Sequence, residues 1–191
     1  MSAALDLLTR RWSPRAFASR PVETDKLAAL FDAARWAPSC YNGQPWQFVL
    51  ARRGVDAAYD ALFPTLMSAN QAWAASAPLL VLNVTQKNFT HNGKPNGWAW
   101  YDLGQAVGNL LAQATELGLH VHQMAGFDAA QAHASLGLPA DCDAVAVMAV
   151  GYLGDPATLP AGVEEKSPAQ RERKALPEFV HDGAWGRRFG A

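Results

Sequence analysis

The chain is 191 residues long, half of it apolar, with a formal net charge of -1 and its acidic and basic residues interspersed. Such a length and apolar share suffice for one domain, 1–191, with a substantial core, and the near-neutral balance excludes a field that would collect nucleic acid or an anionic membrane. Two cysteines without CxxC spacing exclude a disulfide framework and suit a reducing cytoplasm, and the lack of any apolar run near ~18 residues predicts a soluble protein with no membrane span.

Near the N-terminus stands RRWSPRAF. Proline disfavours helix in the residue before it, so Arg11, Ser13 and Arg15 are expected on extended backbone, where a step of two keeps side chains on one face. Two guanidinium forks and a hydroxyl converging on one point suit a phosphate, although a short basic turn standing alone is more often simply solvated. From Thr24 to Ala34 the residues Leu27, Leu30, Phe31 and Ala34 recur at helical spacing, with Thr24 as the expected N-cap. WAPSCYNGQPWQF then gathers small and polar residues that no core requires, before a strand over residues 46–51. A polar helix-to-strand loop is a place where sites are built.

Helices are expected from Asp56 to Leu66 and from Asn70 to Ala77, and Pro78 forces a break before LLVLNV, a strand buried on both faces. After the loop TQKNFTHNGKPNG comes the longest helix, with Leu103, Val107, Leu110, Ala114 and Leu117 at steps of four and three and Gly118 at its C′ position. LHVH is a short strand, Asp128 caps a helix running through Ser135, Gly137 ends it, and residues 144–152 form the clearest strand. Alternating helices and strands indicate a layered α/β or α+β domain. The segment after Tyr152 is proline-rich and charged, and its apolar end with Phe179, Val180 and Trp185 predicts that it docks on something.

The tail carries a second basic set, Arg171, Arg173 and Lys174, which taken alone is a solvated charge run. Neither GxGxxG after a strand nor GxxxxGK[ST] occurs, so any phosphate must be held by side chains. His120 and His122 share a strand face, but no recognised spacing makes them a metal site. Cys40 has no neighbouring base to activate it as a thiol nucleophile. Trp98 and Trp100 suit either an acceptor pocket or the core.

Taken together, RRWSPRAF, ARWAPSCYNGQPWQF, NQAWAASAPLLVL, YDLGQAVGNLLAQATELGL, GFDAAQ and AVAVMAVGY resemble, in content and order, the nitroreductase family of FMN-dependent enzymes. The resemblance implies an α+β fold, a three-layer α/β/α domain with a mostly antiparallel sheet. It also implies an intertwined homodimer whose C-terminal arm, 152–191, embraces the partner subunit. Arg11, Trp12, Ser13 and Arg15 would then face the FMN, with Arg11 at its phosphate and Arg15 at its pyrimidine edge, and Arg171 and Arg173 would reach the same phosphate. Pro38, Ser39, Cys40 and Asn42 would contact the flavin of the other subunit, and Asn70 would hydrogen-bond the pyrimidine. Gln123, Met124, Ala125 and Gly126 would press backbone against the ring, which a residue without Cβ permits. The implied activity is reduction of nitroaromatics, quinones or similar flat electrophiles by NADH or NADPH in a ping-pong order, with no catalytic side-chain nucleophile. A flavin store or redox-responsive protein on the same fold is the alternative. The chain departs from the common pattern at Cys40, where a second serine is usual, at Trp12, at Ala125, which lacks a carboxylate, and in its short loop 85–97.

Overall fold

The computed structural model describes residues 4–165 and 168–190. Its helices and strands run α1 (Asp6–Arg10), α2 (Thr24–Arg35), β1 (Trp46–Arg52), α3 (Ala57–Leu62), α4 (Ser68–Ala74), β2 (Leu79–Gln86), α5 (Ala99–Glu116), β3 (His120–Met124), α6 (Ala129–Ser135) and β4 (Cys142–Gly151). The strands form one antiparallel sheet in the order β1-β2-β4-β3.

Two clusters of apolar side chains lie on opposite faces of that sheet. Leu27 and Leu30 of α2 and Leu103 and Leu110 of α5 cover Val81 and Met148. Tyr59, Leu62, Trp73 and Ala132, from α3, α4 and α6, cover Leu80, Leu82 and Val147 on the other side. The fold is therefore α+β, with the sheet between two helical layers. Covered on both faces, β2 is buried from Leu79 to Thr85, as its unbroken apolar run predicts. Each fully buried leucine, such as Leu30 or Leu82, contributes about 1.5–3 kcal/mol relative to exposure.

Local signals held where their chemistry is specific. Asp128 accepts from the Gln131 N–H as the α6 cap, and Gly118 and Gly137 follow their helices at φ 70° and 63°. Thr24 is the first helical residue, and Glu23 takes the cap position without a side-chain bond. The helix expected to reach Leu66 stops at Leu62 and tightens into a 3-10 turn at Phe63–Thr65, because Pro64 cannot donate the next helical bond. The following helix begins at Ser68 and ends at Ala74. α1 has no buried residue, so no apolar period announced it.

Past β4 the chain turns back on the N-terminal segment. The Gly154 N–H donates to the Ala16 carbonyl and the Ala18 N–H to the Tyr152 carbonyl. A Cβ on Gly154 would lie 2.5 Å from the Phe17 backbone, so only glycine allows this crossing. Among the described residues no helix is long and apolar enough to cross a membrane.

Candidate functional site: a basic cluster, a bare peptide surface and a strained loop

The N-terminal basic segment and the tail meet. Arg171 donates through Nη2 to the Thr9 carbonyl at 2.7 Å and through Nη1 to the Arg11 carbonyl. Burial first, and then the charges of Arg171 and Arg173, hold the Arg11 guanidinium below the usual arginine range. Among the described residues no carboxylate pairs with any of the three. Like charges gathered without a counterion mark a place for an anion.

Arg11 Nη1 donates to Ser13 Oγ at 3.3 Å, so two of the three residues expected on one face do converge. Arg15 does not join them through the same contact; its Nη1 donates to the Glu164 carbonyl at 3.0 Å. The reason is Glu165, whose carboxylate accepts from the backbone N–H groups of Arg15, at 2.8 and 3.0 Å, and of Ala16, at 2.7 Å. This latch ties the root of the tail to the basic segment and so helps bring Arg171 and Arg173 to Arg11. Glu165→Ala is expected to speed proteolytic cleavage of the tail about tenfold, the scale of losing charge-assisted hydrogen bonds. Unchanged cleavage would show that the other tail contacts suffice.

A second group forms where α4 meets the end of β3. Asn70 Nδ2 donates to the Gly126 carbonyl at 2.9 Å, and the Met67 N–H donates to the same oxygen at 3.0 Å. A Cβ on Gly126 would stand 2.8 Å from Asn70 Nδ2, so glycine is what leaves the peptide bare and the amide in place. Met124 is buried in the core, and the Gln123 side chain turns toward α5, lining a cavity of about 170 Å³ with Trp100, Gly104 and Gly108. From Gln123 to Gly126 it is therefore the backbone, with the Ala125 methyl, that a flat ligand would meet.

The third group is the loop between α2 and β1. Ser39 is extended, Cys40–Asn42 form a 3-10 turn, and Tyr41, Asn42 and Gln44 take φ of 51°, 52° and 47°. Asparagine tolerates this left-handed region, but tyrosine and glutamine do not favour it, and such strain costs on the order of 1–3 kcal/mol per residue. The loop is tied internally by Gln44 N–H to Ser39 Oγ at 3.1 Å and Gln44 Nε2 to the Asn42 carbonyl at 3.2 Å. Outward, the Cys40 N–H donates to Asp102 Oδ2 at 3.0 Å, and the Tyr41 ring meets Phe89 edge-on, centroids 5.9 Å apart. Pro38 and Ser39 precede this turn, and no hydrogen bond joins the loop to the other two groups among the described residues.

Trp12 sets its ring edge on His120. His122 lies against Trp73, centroids 4.3 Å apart, with Nδ1 2.7 Å from the Pro14 carbonyl. No group of three metal-ligating side chains occurs among the described residues. Trp98 and Trp100 are not core: they are 58 % and 57 % exposed, and Trp100 Nε1 donates to Asp143 Oδ2 at 3.1 Å.

Burial is the main cause holding both His120 and His122 below the usual imidazole range; for His122 the Pro14 contact opposes it and Arg15 adds to it. Both therefore take up protons at lower pH in the fold than in the unfolded chain, which does so near pH ~6.5. The unfolded state then binds more protons, so stability is lost as pH falls through that value. The melting midpoint is expected to drop between pH 7 and pH 5.5, and the double variant His120→Gln/His122→Gln should flatten the profile. An equally steep profile in that variant would assign the effect to other groups.

Two contributors were not anticipated. Asp102 falls in helical register with Ala106 and Leu110, so a carboxylate on a buried stripe was visible in the spacing. Glu165 carried no such signal, since its partners lie some 150 residues away.

The chain belongs to the nitroreductase family, a family of oxidoreductases, which it matches over residues 8–152. An uncharacterized 15.4 kDa protein of Mycolicibacterium smegmatis is 32 % identical over 146 residues, covering 73 % of this chain and 97 % of the relative. A protein of Xanthomonas oryzae pv. oryzae, provisionally named an NADH dehydrogenase/NAD(P)H nitroreductase, is 29 % identical over 83 % of this chain and 89 % of its own. Among solved structures, an oxidoreductase containing FMN superposes with a TM-score of 0.87 at 32 % identity, over 98 % of this chain and 95 % of that one. A protein of Desulfovibrio desulfuricans, provisionally named a nitroreductase and solved in complex with FMN, shares the fold, with a TM-score of 0.75 at 23 % identity over 97 % and 99 % of the two chains.

Proposed function

We propose that this protein is an FMN-dependent oxidoreductase of the cytoplasm that uses NADH or NADPH to reduce quinones, nitroaromatics or similar flat electrophiles. The observation that carries this reading is the cluster of Arg11, Arg171 and Arg173, which no carboxylate among the described residues neutralises. A phosphate monoester supplies the dianion the cluster lacks, and the peptide kept bare at Gly126 suits a flat ring system. The FMN-containing relative and the nitroreductase name of the Xanthomonas protein support the same cofactor and donor.

In this assignment Arg11, Ser13, Arg171 and Arg173 bind the phosphate. The backbone of 123–126 carries the ring, with Asn70 held by the Gly126 carbonyl to address its pyrimidine edge. Trp12 flanks the basic segment. Arg15 keeps the rest of its guanidinium fork for negative charge developing at that edge, while Nη1 stays on Glu164. FMN held by these residues would supply two-electron chemistry between a nicotinamide donor and the acceptor.

The protein acts as a homodimer in which Pro38, Ser39, Cys40 and Asn42 reach the partner's flavin. Two features favour a second copy. α5 presents Gly104, Gly108 and Leu111 beside a cavity that Asn83 also lines, buried at 1 % exposure and with Oδ1 lacking a hydrogen-bond partner among the described residues. The arm exposes Phe179, Trp185 and Phe189.

The test is an absorbance spectrum of purified protein, followed anaerobically by NADH or NADPH and then by a quinone. Flavin bands that bleach with the nicotinamide and return with the acceptor are expected. Flavin that stays oxidised would make the protein a flavin store instead, and colourless protein that ignores added FMN would remove the proposal.

A further inference from the structure

We propose that Asp102 is a positioning residue for the flavin-facing loop. The inference rests on the FMN reading for its ligand and on the structure for its mechanism. Asp102 is 2 % exposed, near the start of α5, and its Oδ2 accepts the Cys40 N–H at 3.0 Å. No cation pairs with it, and no hydrogen-bond donor other than that N–H reaches its carboxylate, among the described residues. A buried carboxylate without a counterion is costly to keep, and a bond from one backbone N–H does not offset that cost by itself.

What the bond does is hold a strained loop. Immediately after Cys40 the chain enters the left-handed region at Tyr41 and Asn42, and again at Gln44. The turn between is tight: a Cβ on Gly43 would stand 3.1 Å from the Cys40 carbonyl. Strained backbone persists only where its surroundings over-determine it. The tie from Gln44 to Ser39 closes the loop on itself but leaves its position open, and the Tyr41 ring is too exposed to anchor it, at 82 %. Beyond the backbone bonds of Trp36 and Ala37 to the end of α2, Asp102 supplies the side-chain hydrogen bond from the helix layer to this loop among the described residues, attached at one of the residues assigned to the flavin. Fixing Cys40 on α5 sets where Ser39, Cys40 and Asn42 point.

The experiment compares the full-length wild type with Asp102→Asn, Asp102→Leu and Asp102→Ala. Asparagine can still accept from the Cys40 N–H, leucine fills the same space without accepting, and alanine neither accepts nor fills. Two readouts are taken: hydrogen exchange of the Cys40 amide in protein free of flavin, and FMN affinity from quenching of flavin fluorescence. The Leu and Ala variants should exchange the Cys40 amide about tenfold faster and bind FMN about tenfold more weakly, the scale of losing a hydrogen bond to a charged group. The Asn variant should stay near wild type in both. Agreement of Leu with Ala separates the lost bond from lost packing, and the Leu variant serves if the Ala variant does not fold. A Cys40 amide indifferent to Asp102→Leu would overturn the proposal, as would faster exchange with unchanged FMN affinity. If no form binds FMN, the flavin reading fails, while the amide still decides whether Asp102 holds the loop.

Discussion

Replacing Arg11 and Arg173 together with alanine is expected to weaken FMN binding about 10²–10⁴-fold, since each charge-assisted bond to a phosphate is worth roughly 1.5–3 kcal/mol. The fold should survive. Arg11 makes a side-chain bond to Ser13 at 3.3 Å and Arg173 a local one to the Glu172 carbonyl, and neither joins an ion pair among the described residues. Burial first, and then the charges of Arg171 and Arg173, lower the Arg11 pKa, so the double variant removes a like-charge contact rather than creating one. Arg171 is left in place because its guanidinium ties the tail to the Thr9 and Arg11 carbonyls, and its loss would mix structural with electrostatic effects. Isothermal titration with FMN and with riboflavin, which lacks the phosphate, isolates the cause. Only the FMN affinity should fall, and the melting midpoint of the flavin-free protein should move by no more than a few degrees. If the double variant holds FMN as tightly as wild type, the phosphate is not at this cluster.

That cluster also shows how far the sequence could be read. RRWSPRAF and RERKALPEF each look like ordinary solvated charge when taken alone, and what joined them was the resemblance to a family whose motifs occur in the same order. The structure supplies the physical link: the chain returns at Gly154, and the Glu165 carboxylate seats on the Arg15 and Ala16 amides. Contacts over such separations leave no period to detect. Signals within one element fared better. The apolar stripe of α5, the Asp128 cap and the C′ glycines are local chemistry, and they appear where expected. Errors fell where two local signals compete, as at Pro64, which divides one apolar stretch into a helix and a 3-10 turn. For the loop after α2, composition flagged a site, but the positive φ values at Tyr41 and Gln44 and the tie to Asp102 are tertiary facts. Side-chain identity does not favour that backbone, so it could not announce it.

The arm leads to the second large effect. Phe179, Trp185 and Phe189 are exposed in the single chain, Trp185 at 92 %, and none belongs to either core cluster. Changing all three to serine should therefore cost the protomer little. If they dock on a second copy, each buries an aromatic surface worth about 1.5–3 kcal/mol, and two-fold symmetry counts every loss twice. After subtracting incomplete burial and the entropy of ordering the arm, the dimer dissociation constant is expected to rise at least about 10³-fold. Sedimentation at micromolar protein should then show monomer where the wild type is expected to show dimer. FMN binding should weaken in step and recover at high protein concentration, because in the proposed dimer Ser39, Cys40 and Asn42 reach the flavin from the other subunit. A triple variant that dimerises like wild type would leave the face of α5 with Gly104 and Gly108 to carry the interface alone, and would end the idea of an exchanged arm. A monomer that still binds FMN with full affinity would instead place the strained loop at its own chain's site.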